Sequence, residues 1–141
     1  MIDSFSGPYH FLSNFYPCIV RYEGFKYCSS EAAYQAAKTV DMGLKEAFTK
    51  TDPATAKRAG SKIKLREDWD GLKLGIMKDI LTIKFQDTEL REMLINTGDE
   101  ELIEGNTWGD RFYGVCRGRG HNHLGLLLME LRREIVCAES L

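Results

Sequence analysis

Between Ser29 and Lys38 the chain reads Ser-Ser-Glu-Ala-Ala-Tyr-Gln-Ala-Ala-Lys, and as a helix this run narrows what can surround it. Successive helical residues turn by about 100°, so Glu31, Gln35 and Lys38, at i, i+4 and i+7, form one stripe. Ala32, Ala33, Ala36 and Ala37 cover the opposite side, where a neighbouring element can approach closely. A carboxylate, an amide and an amine are left together, and they either face solvent or line a cleft. Polar helix faces are commonly just solvated. Ser29 can cap this helix, and Glu31 in the first turn suits the positive end of the dipole, which accounts for both without chemistry.

A chain of 141 residues fits one domain, 1–141, with enough core to fold without metal or disulfide staples. The net charge of -2 and a hydrophobic fraction of 43% describe an ordinary globular protein. That charge argues against a general nucleic-acid binder but leaves room for a local basic patch. No apolar run approaches the roughly 20 residues that span a bilayer, and no basic segment precedes a signal core, so a cytoplasmic protein without a membrane partner is expected. Cys18, Cys28, Cys116 and Cys137 stand far apart, which favours reduced thiols. Cys116, His121 and His123 lack the further ligand and the spacing of a zinc site, so no metal is expected.

The aromatic-rich opening is broken by Gly7-Pro8, Pro17 and Gly24, which predicts loops and a short hairpin from 18–22 and 25–27. Asp52-Pro53 opens a short helix ending at Gly60. A longer helix starts near Trp69, with Leu72, Ile76, Ile80 and Ile83 as its apolar stripe and Met77, Leu81 and Phe85 alongside. Residues 88–96 give another, with Leu90, Met93 and Leu94 inward and Gly98 as the stop. The last runs over 123–136 with Leu124, Leu127, Leu128, Leu131 and Ile135. The fold expected is α+β: compact, mostly helical, with a few short strands.

Segment 102–115 mixes acids, aromatics and glycines: Glu104, Gly105, Asn106, Trp108, Gly109, Asp110 and Gly114. Glycines let a backbone approach a ligand, Trp108 offers a flat face, and the carboxylates of Glu104 and Asp110 can polarise hydroxyls or shuttle protons. The plain alternative is an aromatic-rich turn. Segment 117–125 is a glycine-rich loop with Arg117 and Arg119 running into a helix N-terminus, a place that attracts anions. It is neither a Walker nor a Rossmann loop, and a flexible turn with solvated arginines explains it equally well. His10, His121 and His123 carry no cysteine-protease or nucleophile-elbow signature with the cysteines.

Taken in order, Phe11-Leu12-Ser13-Asn14-Phe15-Tyr16-Pro17, Ser30-Glu31-Ala32-Ala33-Tyr34-Gln35-Ala36-Ala37-Lys38, Arg66-Glu67-Asp68-Trp69, Ile103-Glu104-Gly105-Asn106-Thr107-Trp108-Gly109 and Asn122-His123-Leu124-Gly125-Leu126-Leu127-Leu128-Met129 resemble the NADAR, or YbiA-like, family nearly end to end. The resemblance implies N-glycosidase activity with no cofactor. Two substrate classes go with that family: ribosylamine intermediates of riboflavin biosynthesis, and ADP-ribose attached to guanine in nucleic acid. Both join ribose C1 to an exocyclic amine, a carbon that can open to an imine and be attacked by a lysine.

The same resemblance makes Lys38 the nucleophile and Glu31 the proton carrier, with direct attack of water, using Glu31 or Glu104 as base, the rival mechanism. It implies Asn14, Gln35 and Asn122 as hydrogen-bonding groups for ribose and phosphate, Trp108 as a stacking face, and Arg66 or the Arg117–Arg119 loop as phosphate contacts. Asp110 and Gly114 join the substrate-binding set. The basic character of that loop favours ADP-ribosylated nucleic acid as partner over a small ribosylated nucleotide. A noncatalytic ADP-ribose or NAD reader and a small nucleic-acid-binding module are the alternatives from other classes.

Overall fold

The computed structural model describes residues 1–140. They form two compact units, one of residues 14–86 and one of residues 1–13 together with 87 onward. The α+β expectation, mostly helical with short strands, holds.

In the unit of residues 14–86, strands β1 (Val20–Tyr22) and β2 (Phe25–Tyr27) pair antiparallel with Val20 opposite Tyr27. Their two-residue connection puts Glu23 at φ 50 and Gly24 at φ 88, the primed geometry whose twist matches that of the strands. Helix α1 (Ser30–Ala37) starts where Ser29 Oγ accepts from the Ala32 N–H at 3.1 Å, and all eight of its residues are buried. Helix α2 (Met42–Phe48) is one that periodicity does not announce, because only Lys45 and Phe48 of its seven residues are buried. Its signal is Asp41, whose Oδ1 accepts from the Leu44 N–H at 3.0 Å. Helix α3 (Pro53–Gly60) begins with Asp52 capping Thr55, at 2.7 Å, and has the predicted bounds.

Helix α4 (Trp69–Lys84) corrects one expectation. Its buried residues are Trp69, Ile76, Met77, Ile80, Leu81 and Lys84, while Leu72 is 37% exposed and Ile83 only half-buried. The inward seam therefore ends on a lysine. The Lys84 stem is long and apolar enough to fill a core position, and its ammonium lies 5.8 Å from the Tyr16 ring centroid and 5.2 Å from that of Phe85.

In the other unit a 3-10 helix over Gly7–Leu12 buries Phe11 and Leu12. Ile2 and Leu102 form a parallel bridge, and strands β3 (Gly105–Asn106) and β4 (Val115–Cys116) pair in parallel. Asp87 caps helix α5 (Thr88–Ile95) through the Leu90 N–H at 3.0 Å. Leu90 and Leu94 point inward, but Met93 is 37% exposed, because so short a helix presents only an i, i+4 seam. Helix α6 (His123–Glu139) buries Leu124, Leu128 and Leu131, whereas Leu127 and Ile135 are half-buried. Buried Arg132 shares the inward face, donating to Thr97 Oγ1 and to the Glu100 carbonyl at 2.8 Å each. Among the described residues no helix is long and apolar enough to cross a membrane, and the four cysteines are free thiols.

Burial lowers the Lys84 pKa from 10.5 to about 8. The unfolded chain holds that proton more tightly, so stability rises with pH between about 8 and 10.5 and carries the full cost of the buried charge below that window. Urea melts at pH 7 and pH 10.5 should show Lys84→Met losing this rise, a difference on the order of 3 kcal/mol. Parallel pH profiles for the two proteins would show that Lys84 is charged at no cost.

Candidate active site

Helix α1 gathers the first set of candidates, and it does not present them to bulk water. Glu31 and Gln35 are 8% and 4% exposed, which removes the solvated-face alternative for these two. Gln35 Nε2 donates to Glu31 Oε1 at 3.1 Å, one helical turn apart. Asn14 is also buried and its carbonyl accepts the Glu31 N–H at 3.1 Å, while its Nδ2 approaches Met77 Sδ at 3.6 Å. Among the described residues, Asn14 Oδ1, Ser30 Oγ and Gln35 Oε1 are buried without a hydrogen-bond partner.

Lys38 is half-buried and closes α1, its ammonium 5.8 Å from the centroid of the Tyr34 ring. Tyr34 packs in turn on buried Trp69, with centroids 5.1 Å apart. Burial lowers the Lys38 pKa below its ordinary value, the Glu31 charge acts against that, and the neighbouring cations Lys73 and Lys57 add to it. The net direction is the one a lysine nucleophile needs, since only the neutral amine attacks.

Arg66 stands beside this helix end through its backbone, its N–H donating to the Lys38 carbonyl at 2.8 Å. Its guanidinium is engaged by Asp68, with Nε to Oδ1 at 2.7 Å and Nη2 to Oδ2 at 3.2 Å. A phosphate would have to share this fork with Asp68. Arg66 also lines an open cleft of about 750 Å³ with Thr39, Val40, Leu44, Lys64 and Leu65.

The second set lies in the other unit and is built from side-chain bonds to backbone. Asn122, at φ 52, receives the Glu104 N–H on Oδ1 and donates from Nδ2 to the Leu102 carbonyl, both at 2.9 Å. Asn106 Nδ2 reaches Glu104 Oε2 at 3.0 Å and the Asp110 carbonyl at 2.9 Å, while its Oδ1 receives the Asp110 N–H at 3.0 Å. Asp110 Oδ1 accepts from the Phe112 and Tyr113 N–H groups at 3.1 and 2.9 Å. Gly114 lies against Glu104 and Asn106, and a Cβ there would overlap Glu104 Oε2 and stand 2.6 Å from Asn106 Nδ2. Asn106 thus holds the Glu104 carboxylate and Asn122 its backbone N–H, while Asp110 braces Asn106 and Gly114 leaves room for Glu104. Trp108 is 61% exposed.

Asn106 is absent from the sequence-derived set, although an Asn three residues before Gly109 in a turn-rich run is a recognisable Asx-turn signal. Gly60, Lys57 and Lys73 were also not singled out, because nothing local shows that they come to Gln35 and Lys38. Cys116 is buried, while His121 stacks on His123 with centroids 5.5 Å apart.

A short buried helix that carries a carboxylate and an amide and is closed by a half-buried lysine, in a mostly helical α+β chain, has counterparts among known proteins. Residues 3–136 match the NADAR domain family, and the chain belongs to it. It is similar to the N-glycosidase YbiA of Escherichia coli (strain K12), 35% identical over 94% of this chain and 85% of that protein. An N-glycosidase of Nostoc punctiforme is 37% identical over 91% of this chain and 86% of its own length. A riboflavin biosynthesis protein of Vibrio vulnificus is 39% identical over 89% of this chain, which spans only 35% of that longer protein. The NMR structure of E. coli YbiA superposes with a TM-score of 0.85 at 32% identity, covering 99% of this chain and 89% of the other. These relatives place the chain among N-glycosidases, hydrolases that act on N-glycosyl bonds.

The frame around Glu104 makes a separable prediction. Asp110→Ala strips two backbone N–H groups of their acceptor and should cost on the order of 1–3 kcal/mol in urea melts. Asp110→Asn keeps an acceptor oxygen and should cost much less. Equal losses for the two would mean that the carboxylate charge, rather than the turn, matters here.

Proposed function

We propose that this chain hydrolyses the bond between ribose C1 and an exocyclic amine through a Lys38 Schiff base, with ADP-ribosylated guanine in DNA as its substrate. The observation that carries the reading is Lys38 itself, an amine with a lowered pKa at the end of a buried helix that also holds Glu31. In the proposed reaction the exocyclic nitrogen pushes the ring oxygen off C1, giving an open-chain imine. Lys38 Nζ adds to C1, and a proton delivered through Glu31 lets the base leave as a free amine. The sugar stays as a Lys38 imine until one water adds to C1 and the lysine departs. The sum is one bond hydrolysed by one water, with the lysine regenerated.

The orphaned acceptors of Asn14, Ser30 and Gln35 suit hydroxyl donors such as those of ribose. Exposed Arg117 and Arg119 favour a substrate rich in phosphate. A second reading takes a ribosylaminopyrimidine phosphate as substrate, and the name of the Vibrio relative favours it. Turnover of the two substrates side by side separates the readings. ADP-ribose released from DNA with little action on the pyrimidine supports the first, and the reverse supports the second. Binding of ADP-ribose with no turnover of either would leave a reader.

Three outcomes follow for the lysine. Borohydride added during turnover should fix a sugar adduct on Lys38, and Lys38→Met should lower kcat by at least about 100-fold. Activity should rise with pH along a limb whose midpoint lies below 10.5, because burial lowers the Lys38 pKa. A fully active protein that never forms the adduct would leave direct attack by water.

A further inference from the structure

Helix α1 meets the end of α3 at one unusually close point. A Cβ built at Gly60 would overlap Gln35 Oε1 and stand 2.6 Å from Gln35 Cδ and 3.1 Å from its Cβ. The Gln35 side chain therefore lies on bare glycine backbone, and all three of its outer groups are constrained. Its Oε1 is buried without a partner, its carbon stem is pressed on Gly60, and its Nε2 donates to Glu31 Oε1 at 3.1 Å. A buried acceptor left unpaired costs about 1–3 kcal/mol, so packing alone gives no reason for an amide here. What the amide does that an apolar side chain of its size would not is hold one oxygen of Glu31.

Glu31 and Lys38 share one helix face, seven residues apart, and opposite charges there attract. The charges near Lys38 are Glu31 on its own helix, Lys57 on α3 and Lys73 on α4, with the Tyr34 ring below it. Lys45 of α2 is turned elsewhere, donating to the Ala36 carbonyl at 3.2 Å. Glu31 is thus the one anion among these groups that a charged Lys38 could draw toward itself, and a paired ammonium is not a nucleophile.

We infer that Gln35, seated on Gly60, is a positioning residue that restrains the Glu31 carboxylate from closing on the Lys38 amine. The inference rests on the nucleophilic reading of Lys38 for its functional meaning, but its test does not. In the intact protein with lysines carrying carbon-13 methyl labels, the Lys38 signal, assigned through Lys38→Arg, is titrated by NMR. Gln35→Met keeps the volume and removes the donor, and its Lys38 midpoint should move up by about one unit toward the ordinary lysine value. Gly60→Ala should displace the amide and move the midpoint in the same direction. In the Gln35→Ala background the added methyl meets no amide, so Gly60→Ala should there shift nothing further.

With an active preparation, the alkaline limb of kcat/KM should move by the same amount as the NMR midpoint. An unchanged or lowered Lys38 midpoint in folded Gln35→Met would overturn the inference, as would an equal Gly60→Ala effect with and without the Gln35 side chain. Failure of the N-glycosidase reading would appear separately, as absent turnover in a wild-type protein whose titration still responds to Gln35.

Discussion

The burial of α1 along its whole length is the constraint on which the unit of residues 14–86 depends. A buried helix must satisfy its terminal backbone groups from its surroundings, and here they are accounted for by separate parts of the chain. The Asn14 carbonyl takes the Glu31 N–H, Ser29 Oγ takes that of Ala32, Lys45 Nζ reaches the Ala36 carbonyl, and the Arg66 N–H reaches that of Lys38. The alanines allow such close approach, and Gly60 extends it where an alanine would already be too large. The polar stripe is the remainder of that packing. Placing a carboxylate and an amide under so little water, beside a half-buried amine, makes each of them sensitive to its neighbours, and burial lowers the pKa of that lysine.

The segment around Glu104 reaches order by another route. Its strands are two residues long, so ladder bonds contribute little. Asn106, Asp110 and Asn122 instead spend their side chains on backbone groups, and Gly114 admits Glu104 to the space a side chain would fill. This scaffolding fixes a carboxylate on irregular backbone without a sheet to hold it. It also explains why residues that look like ligand contacts in the sequence, Asp110 above all, have local tasks in the fold.

Much of this was legible in the sequence because the signals were local. Asp52-Pro53 and Gly60 bounded α3, Ser29 marked the start of α1, and Gly24 marked the hairpin. Helix α2 escaped notice because it buries too few residues to show a period. In α4 the spacing rule found Ile76, Met77, Ile80 and Leu81 but also took Leu72 and Ile83, where the seam instead includes Lys84, since a lysine stem can do the work of an apolar side chain. At the site, the stripe of Glu31, Gln35 and Lys38 was visible as a pattern. What it could not disclose was its burial, or the approach of Gly60, Lys57 and Lys73, because those are contacts between residues distant along the chain.

Eight residues are too few for a helix to persist on its own in water, where even favourable sequences need about 12–15. Helix α1 therefore owes its existence to the segments that close on it from Asn14, Lys45, Gly60 and Arg66. The polar stripe is not a preformed element onto which the rest condenses. It comes into being only as those distant contacts close, so the arrangement of this face and the folding of its unit are a single event.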